Sequence, residues 1–344
     1  MGVKVETFGK TKEKEDIFLY TITNKNGMQA AVTNFGAILV KLLVADQSGA
    51  LEDVVLGLAK GPDYYKNGSF FGATVGRNAN RIGGASAKIG ADTYKFPVND
   101  GPNNLHTDFD CGMHMKLWDA EIGDNCVEFT TLSPDMEAGF PGNLRAKVTY
   151  TLRDDNALQI AYEAVSDKKT IINMTNHSYF NLEGHTAGNI ENTVLQLNCS
   201  KYTPVVKGAI PTGELADVEG TVFDFRKPKT IGQDIKVKEQ QLKLVKGYDH
   251  NFVVDGYDGT EKLIAVAKAG GRTMEVYSDL PGVQFYAGNC IGKQKGKEGM
   301  KYTKRYGFCL ETQYFPDNAN QDNFKKAIFD ANEVYKTTTV YKFV

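Results

Sequence analysis

Leu144-Arg145-Ala146-Lys147-Val148-Thr149-Tyr150-Thr151-Leu152 runs into Arg153-Asp154-Asp155-Asn156 and then Ala157-Leu158-Gln159-Ile160-Ala161-Tyr162-Glu163-Ala164. In the first segment Leu144, Ala146, Val148, Tyr150 and Leu152 alternate with Arg145, Lys147, Thr149 and Thr151. Successive side chains of a strand point to opposite faces, so this spacing makes one apolar and one polar face. The Arg-Asp-Asp-Asn run is a turn, and Leu158, Ile160, Tyr162 and Ala164 alternate back. The stretch predicts an antiparallel hairpin with one wet face.

The same pattern recurs on both sides of it. Asn26-Gly27 separates Leu19 to Thr23 from Gln29 to Val32, and Gly270-Gly271 separates Leu263 to Ala267 from Met274 to Tyr277. Such dipeptides favour the tight turns whose twist matches paired strands. Further strands are expected at Val54 to Gly57, Thr193 to Leu197, Val283 to Ala287, Gly307 to Thr312 and Thr337 to Phe343. Helical spacing is confined to Lys236 to Val245 and a turn or two at Asp322 to Ile328. Strands this numerous and evenly spread predict an all-β fold, a large antiparallel sandwich with few short helices. No linker, repeat or low-complexity run divides the chain, so residues 1–344 are expected to form a single domain.

Charge narrows the partners. Forty Lys and Arg against 42 Asp and Glu leave a formal charge of -2, and no basic field points to nucleic acid or an anionic membrane. No window approaches the roughly 18 apolar residues of a membrane span. Five scattered cysteines without a Cys-x-x-Cys pair fit reduced thiols and a cytoplasmic location. The expected partner is a neutral small molecule.

Several polar clusters interrupt the strands, and each has a plain structural reading beside the functional one. His106 follows the turn-forming run Asp100-Gly101-Pro102-Asn103-Asn104-Leu105, and His177 sits in Met174-Thr175-Asn176-His177-Ser178-Tyr179-Phe180-Asn181-Leu182-Glu183-Gly184. Either is a general acid or base candidate, or simply a buried or exposed histidine. Glu311 lies in the apolar run Tyr306 to Phe315, where lost hydration raises a carboxyl from about 4.3 toward the range of a general base. The plain reading is a strand glutamate facing solvent.

Gly76-Arg77-Asn78-Ala79-Asn80-Arg81-Ile82-Gly83-Gly84 offers guanidinium and amide donors suited to vicinal hydroxyls, or a salt-bridged loop. Asp249, within Tyr248 to Phe252, can grip hydroxyls or sit in a turn, and Gln284 is a cleft amide or a satisfied core residue. A metal cluster of His106, Asp108, Asp110, Cys111 and His114 lacks any familiar ligand spacing, so no metal is expected.

Taken together these residues resemble the aldose 1-epimerase (galactose mutarotase) family. The resemblance is carried by Asn34 to Ala37, Gly76 to Gly83, Asn104-Leu105-His106, Asn176 to Leu182, Phe223 to Arg226, Gly247 to Asn251 and Leu310 to Pro316, in that order along nearly the whole chain. It implies a large mutarotase-like supersandwich and a cofactor-independent exchange of the α and β anomers of a free hexose, galactose or glucose. Glu311 is then implied as the base at the anomeric hydroxyl and His177 as the acid at the ring oxygen, with His106 near that oxygen. Asn80, Arg81, His106, Asp249 and Gln284 fall at sugar-holding positions, and Tyr179, Phe180 and Asn181 are expected to support the imidazole without touching the sugar. One departure is visible: the family follows its first histidine with glycines, whereas His106 leads into Thr107-Asp108-Phe109-Asp110.

Three rivals remain at this stage. A hexose-6-phosphate epimerase needs an added basic cluster, and a non-catalytic sugar-binding protein has no use for both Glu311 and His177. A glycosidase ordinarily needs two carboxylates flanking the bond.

Overall fold

The computed structural model describes residues 2–344. The hairpin read from Leu144 onward is there, as strands Leu144–Leu152 and Ala157–Ser166 in antiparallel register with Val148 opposite Tyr162. It supplies the third and fourth strands of a nine-stranded sheet that also holds Asp119–Ile122, Cys126–Ser133, Val334–Phe343, Arg272–Ser278, Lys262–Ala269, Val194–Leu197 and Lys229–Thr230. The apolar face of the hairpin is buried throughout, as its alternation demands.

Two five-stranded sheets pack against this one. The first is a meander of Gly2–Lys10, Asp16–Thr23, Gln29–Thr33, Ile38–Ala45 and Leu51–Asp53. The second contains Ala216–Asp217, Lys201–Tyr202, Asp249–Val253, Gly282–Tyr286 and Cys309–Gln313. One apolar cluster draws side chains from all three, among them Ile22 and Leu42, Phe129 and Ile160, and Phe252 and Phe285. Tyrosines from the large sheet reach across it: Tyr150 Oη donates to the Ala37 carbonyl at 2.7 Å and Tyr341 Oη to the Leu310 carbonyl at 3.1 Å. A buried phenol needs such a partner, and these two also fix how the layers face one another. The fold is an all-β antiparallel sandwich, as expected.

Local departures have physical causes. The expected helix over Lys236 to Val245 shortens to Gln240–Val245, because the Glu239 carboxylate caps it by accepting from Leu242 N at 2.8 Å. No helix forms over Asp322 to Ile328. There the Ala327 N–H donates to Asn318 Oδ1, Lys326 Nζ binds the carbonyls of Asn318 and Gln321, and Ile328–Phe329 pairs as a short strand. The strand expected at Val54 to Gly57 instead ends at Asp53, with Val55 making an isolated bridge to Phe180. Among the described residues no helix is long and apolar enough to cross a membrane.

Candidate functional site

The second five-stranded sheet has two faces of different character. On Asp249–Val253, Gly282–Tyr286 and Cys309–Gln313, the register aligns Asn251, Gln284 and Glu311 in one row and Asp249, Tyr286 and Cys309 in the next. These residues share a face, while Phe252, Phe285 and Leu310 on the opposite face enter the apolar core. Both faces are covered, so Cys309–Gln313 is buried at every position. That explains the poor polar alternation of this strand and removes the solvent-facing reading of Glu311.

Opposite this polar face, the strand Thr175–His177 pairs with Ala73–Val75 and delivers His177. The two segments enclose a cavity of about 250 Å³, lined by Asn80, Arg81, His106, His177, Asp249, Gln284 and Glu311 together with Phe70, Asp100, Tyr179 and Tyr286. Every site residue singled out from sequence lies on this one cavity. His177 Nε2 stands 3.7 Å from Glu311 Oε1, and both side chains are buried. Glu311 Oε2 has no hydrogen-bond partner. The imidazole stacks with Tyr179 at 5.0 Å and Phe70 at 6.0 Å between ring centroids.

Electrostatics follow from burial. Lost hydration pushes the Glu311 carboxyl well above the usual carboxylate range, Asp249 adds to the push, and Arg81 opposes it. Burial lowers His177 to about 4 and holds His106 well below the ordinary histidine value, with the neighbouring His177, Arg81 and His114 lowering His106 further. Asp249 is raised by burial, against the opposing pull of Arg81 and of the Gln284 Nε2 donor at 2.7 Å. Arg81 Nε in turn donates to Asp100 Oδ2 at 2.8 Å.

His106 Nδ1 accepts from the Asn80 backbone N–H at 3.1 Å, so the neutral ring carries its proton on Nε2. The ligating atoms of His106, His177 and Glu311 all lie within 4.8 Å of one another. A protonated Nε2 has no lone pair for a metal, so this donor set suits proton exchange and hydrogen bonding to hydroxyls better than ion coordination. The alternative cluster of Asp108, Asp110, Cys111 and His114 is not drawn around an ion either. Asp108 Oδ1 accepts from the N–H groups of Asp110 and Cys111, and His114 is buried against Phe70.

The segment after His106 accounts for the missing glycines. His106 and Thr107 have φ of 54° and 71°, a region that glycine enters freely and a β-branched residue rarely does. Thr107 is held there by its hydroxyl, which accepts from Asn78 N at 2.9 Å and donates to Asn78 O at 3.2 Å. The departure therefore keeps the backbone path that glycines would allow.

The two readings left open for the arginines of the Gly76 to Gly84 run divide between them: Arg81 lines the cavity, whereas Arg77 is buried elsewhere, bonded to Ser133 Oγ and to the carbonyls of Ser133, Pro134, Pro141 and Gly142. One expectation needs correction. Tyr179 lines the cavity as well as supporting His177, whereas Phe180 and Asn181 do lie behind it. Tyr286, Asp100 and Phe70 were not singled out from sequence. Tyr286 carried a usable signal, since it sits two residues beyond Gln284 and must share its face.

Comparison with known proteins agrees with this construction. A solved galactose 1-epimerase from Lactobacillus acidophilus NCFM superposes with a TM-score of 0.87 and 32% identity, covering 99% of this chain and 98% of its own. The architecture is thus of the galactose mutarotase type, and the protein is a sugar isomerase. The family model described as aldose 1-epimerase matches residues 19–342. The galactose mutarotase of Bos taurus is 42% identical over 92% of this chain and 91% of its own length. The aldose 1-epimerase of Escherichia coli (strain K12) is 34% identical over 95% of each. This chain belongs to the aldose 1-epimerase family, whose members interconvert the anomers of aldoses.

Proposed function

We propose that this protein interconverts the α and β anomers of free hexoses, galactose or glucose, by acid–base opening and reclosure of the ring, without a cofactor. The observation that carries the proposal is the buried pair of His177 Nε2 and Glu311 Oε1, 3.7 Å apart on a cavity lined by amides, carboxylates and one guanidinium. Glu311 takes the proton of the anomeric hydroxyl while His177 gives one to the ring oxygen. The hemiacetal bond between C1 and the ring oxygen breaks, leaving an aldehyde. Rotation about C1–C2 and reclosure with the proton roles reversed yields the other anomer.

The balance of protons supports these roles. Ring opening ends with a neutral imidazole and a protonated carboxyl, which is the arrangement burial favours at this pair. The ionised pair that starts the step holds the same single proton, and sugar hydroxyls donating to Glu311 stabilise its carboxylate. His106 is read as a donor near the ring oxygen. Asn80, Arg81, Asp249 and Gln284 are read as hydroxyl ligands, preorganised by their bonds to one another.

A phosphorylated hexose fits less well. The lining cation, Arg81, is already bonded to Asp100, and Asp249 and Glu311 add further acidic groups. The cavity draws on segments from Gly68 to Glu311, which supports treating residues 1–344 as one domain. Five unpaired cysteines support a cytoplasmic location.

The test is polarimetry of freshly dissolved α-D-galactose and α-D-glucose, with glucose 6-phosphate alongside. Glu311→Ala and His177→Ala are each expected to lower kcat by about 10²- to 10⁴-fold. A wild-type rate equal to that of buffer, full activity in either variant, or faster turnover of the phosphorylated sugar overturns the reading.

A further inference from the structure

Gln284 lines the cavity, yet both ends of its side-chain amide are bonded to protein groups. Its Nε2 donates to Asp249 Oδ1 at 2.7 Å, and its Oε1 accepts from Gln313 Nε2 at 3.2 Å. Gln313 closes the strand Cys309–Gln313, two residues beyond Glu311 on the same face, and is fully buried behind the cavity wall. Its Nε2 has a second acceptor, Asn251 Oδ1, also at 3.2 Å. The residue opposite Gln313 in the register is Gly282, where a Cβ would stand 2.6 Å from that same Asn251 oxygen. The glycine leaves the two amides room to meet.

The oxygen and nitrogen ends of an amide are nearly alike in shape, so its direction is set by the groups it bonds. Here the direction starts at Asp249. An ionised carboxylate only accepts, which turns the nitrogen of Gln284 toward it and the oxygen toward Gln313. Gln313 must then present hydrogens to two oxygens, and a side-chain NH₂ has two to give. Turned round, it would set its own oxygen against those of Gln284 and Asn251. The direction is kept although Gln313 Oε1 and Asn251 Nδ2 are left without hydrogen-bond partners.

We infer that Gln313 is a positioning residue for sugar binding: from behind the cavity wall it holds the Gln284 amide with its nitrogen toward Asp249, which leaves the second Nε2 hydrogen of Gln284 for a sugar hydroxyl. That hydrogen has no partner among the described residues. Without the Gln313 donor, Gln284 is tied at one end only and becomes ordered only when sugar enters, which weakens binding. The effect falls on KM, because Glu311 and His177 keep their places.

The inference rests on the reading of Gln284 as a hydroxyl ligand, and the experiment separates the two. Gln313→Met keeps length and bulk and removes both donors. It is expected to raise the KM for galactose about five- to tenfold, the scale of one hydrogen bond, while kcat changes less than about twofold. In a Gln284→Met background the same substitution should raise KM no further, since effects exerted through one side chain are not additive. Damage to the fold would instead lower kcat and raise KM in both backgrounds. Gln313→Glu, which keeps the shape and offers at most one donor, replaces the methionine variant if that one does not fold, with the same split expected between KM and kcat.

Side-chain ¹H–¹⁵N spectra provide a readout without turnover. The Gln284 hydrogen bonded to Asp249 is expected downfield and slow to exchange in wild type, and to lose both marks in Gln313→Met. A KM within about twofold of wild type in Gln313→Met, an equal rise in the Gln284→Met background, or unchanged Gln284 resonances overturns the inference. A wild-type rate equal to that of buffer sinks the proposed activity, while the spectra still decide whether Gln313 orients the amide.

Discussion

At the scale of single residues, the site is governed by what burial does to charge. Glu311 and His177 are pushed in opposite directions, one up and one down, so the pair holds a single proton over a broad span of pH. Below about 4 His177 also gains a proton, and above the raised Glu311 value the last one is lost. The pH profile of kcat/KM is therefore expected to be bell-shaped, with an acid limb well below the value of a free histidine. Asp249 offers a specific check, because its negative charge helps keep Glu311 protonated. Asp249→Asn preserves an acceptor for Gln284 and removes that charge. Its alkaline limb should move to lower pH while KM rises, and an unmoved limb contradicts the electrostatic account.

Elements assign each side chain its task through direction. The run Gly76 to Gly84 looked uniform in sequence, yet its two arginines serve different ends. Arg81 meets Asp100 at the cavity, and Arg77 satisfies four carbonyls and a hydroxyl around the turn that follows Cys126–Ser133. Arg77→Met should leave those buried acceptors unpaired and cost at least about 2 kcal/mol in urea unfolding. The KM for galactose should stay near wild type, and a raised KM with unchanged stability contradicts the structural role. Strand direction was more legible: once Glu311 and Gln284 were placed on strands, period two dictated which neighbours joined them. The helical turn expected near Asp322 failed because Asn318 and Lys326, close in sequence but paired through a loop, took up the local polar groups.

For the whole molecule, the three-sheet packing buries ionisable groups that have no part in the exchange of protons. His250 is the clearest: it packs against Tyr202 and Phe223 on the core side of the sheet, and burial lowers it to about 3. A depressed histidine contributes stability above its unfolded value of 6.5. That contribution declines as pH falls, because the unfolded chain takes up a proton that the folded one refuses until about 3. His250→Phe should accordingly lose about 2 kcal/mol less than wild type between pH 6.5 and roughly pH 4.5, measured by urea midpoints. An identical loss contradicts the assignment. Sequence by itself determined the all-β class, the antiparallel hairpins and the residue types of the cavity, because period-two alternation and turn chemistry are local and survive without neighbours. The resemblance implied that His177 and Glu311 act together; only the tertiary structure decided the 3.7 Å geometry at which they meet, that Arg77 lies away from the site and Tyr179 enters it, and that Cys309 touches the imidazole. Those outcomes depend on which sheets pack together, and contacts between segments more than a hundred residues apart leave no period in the chain to read.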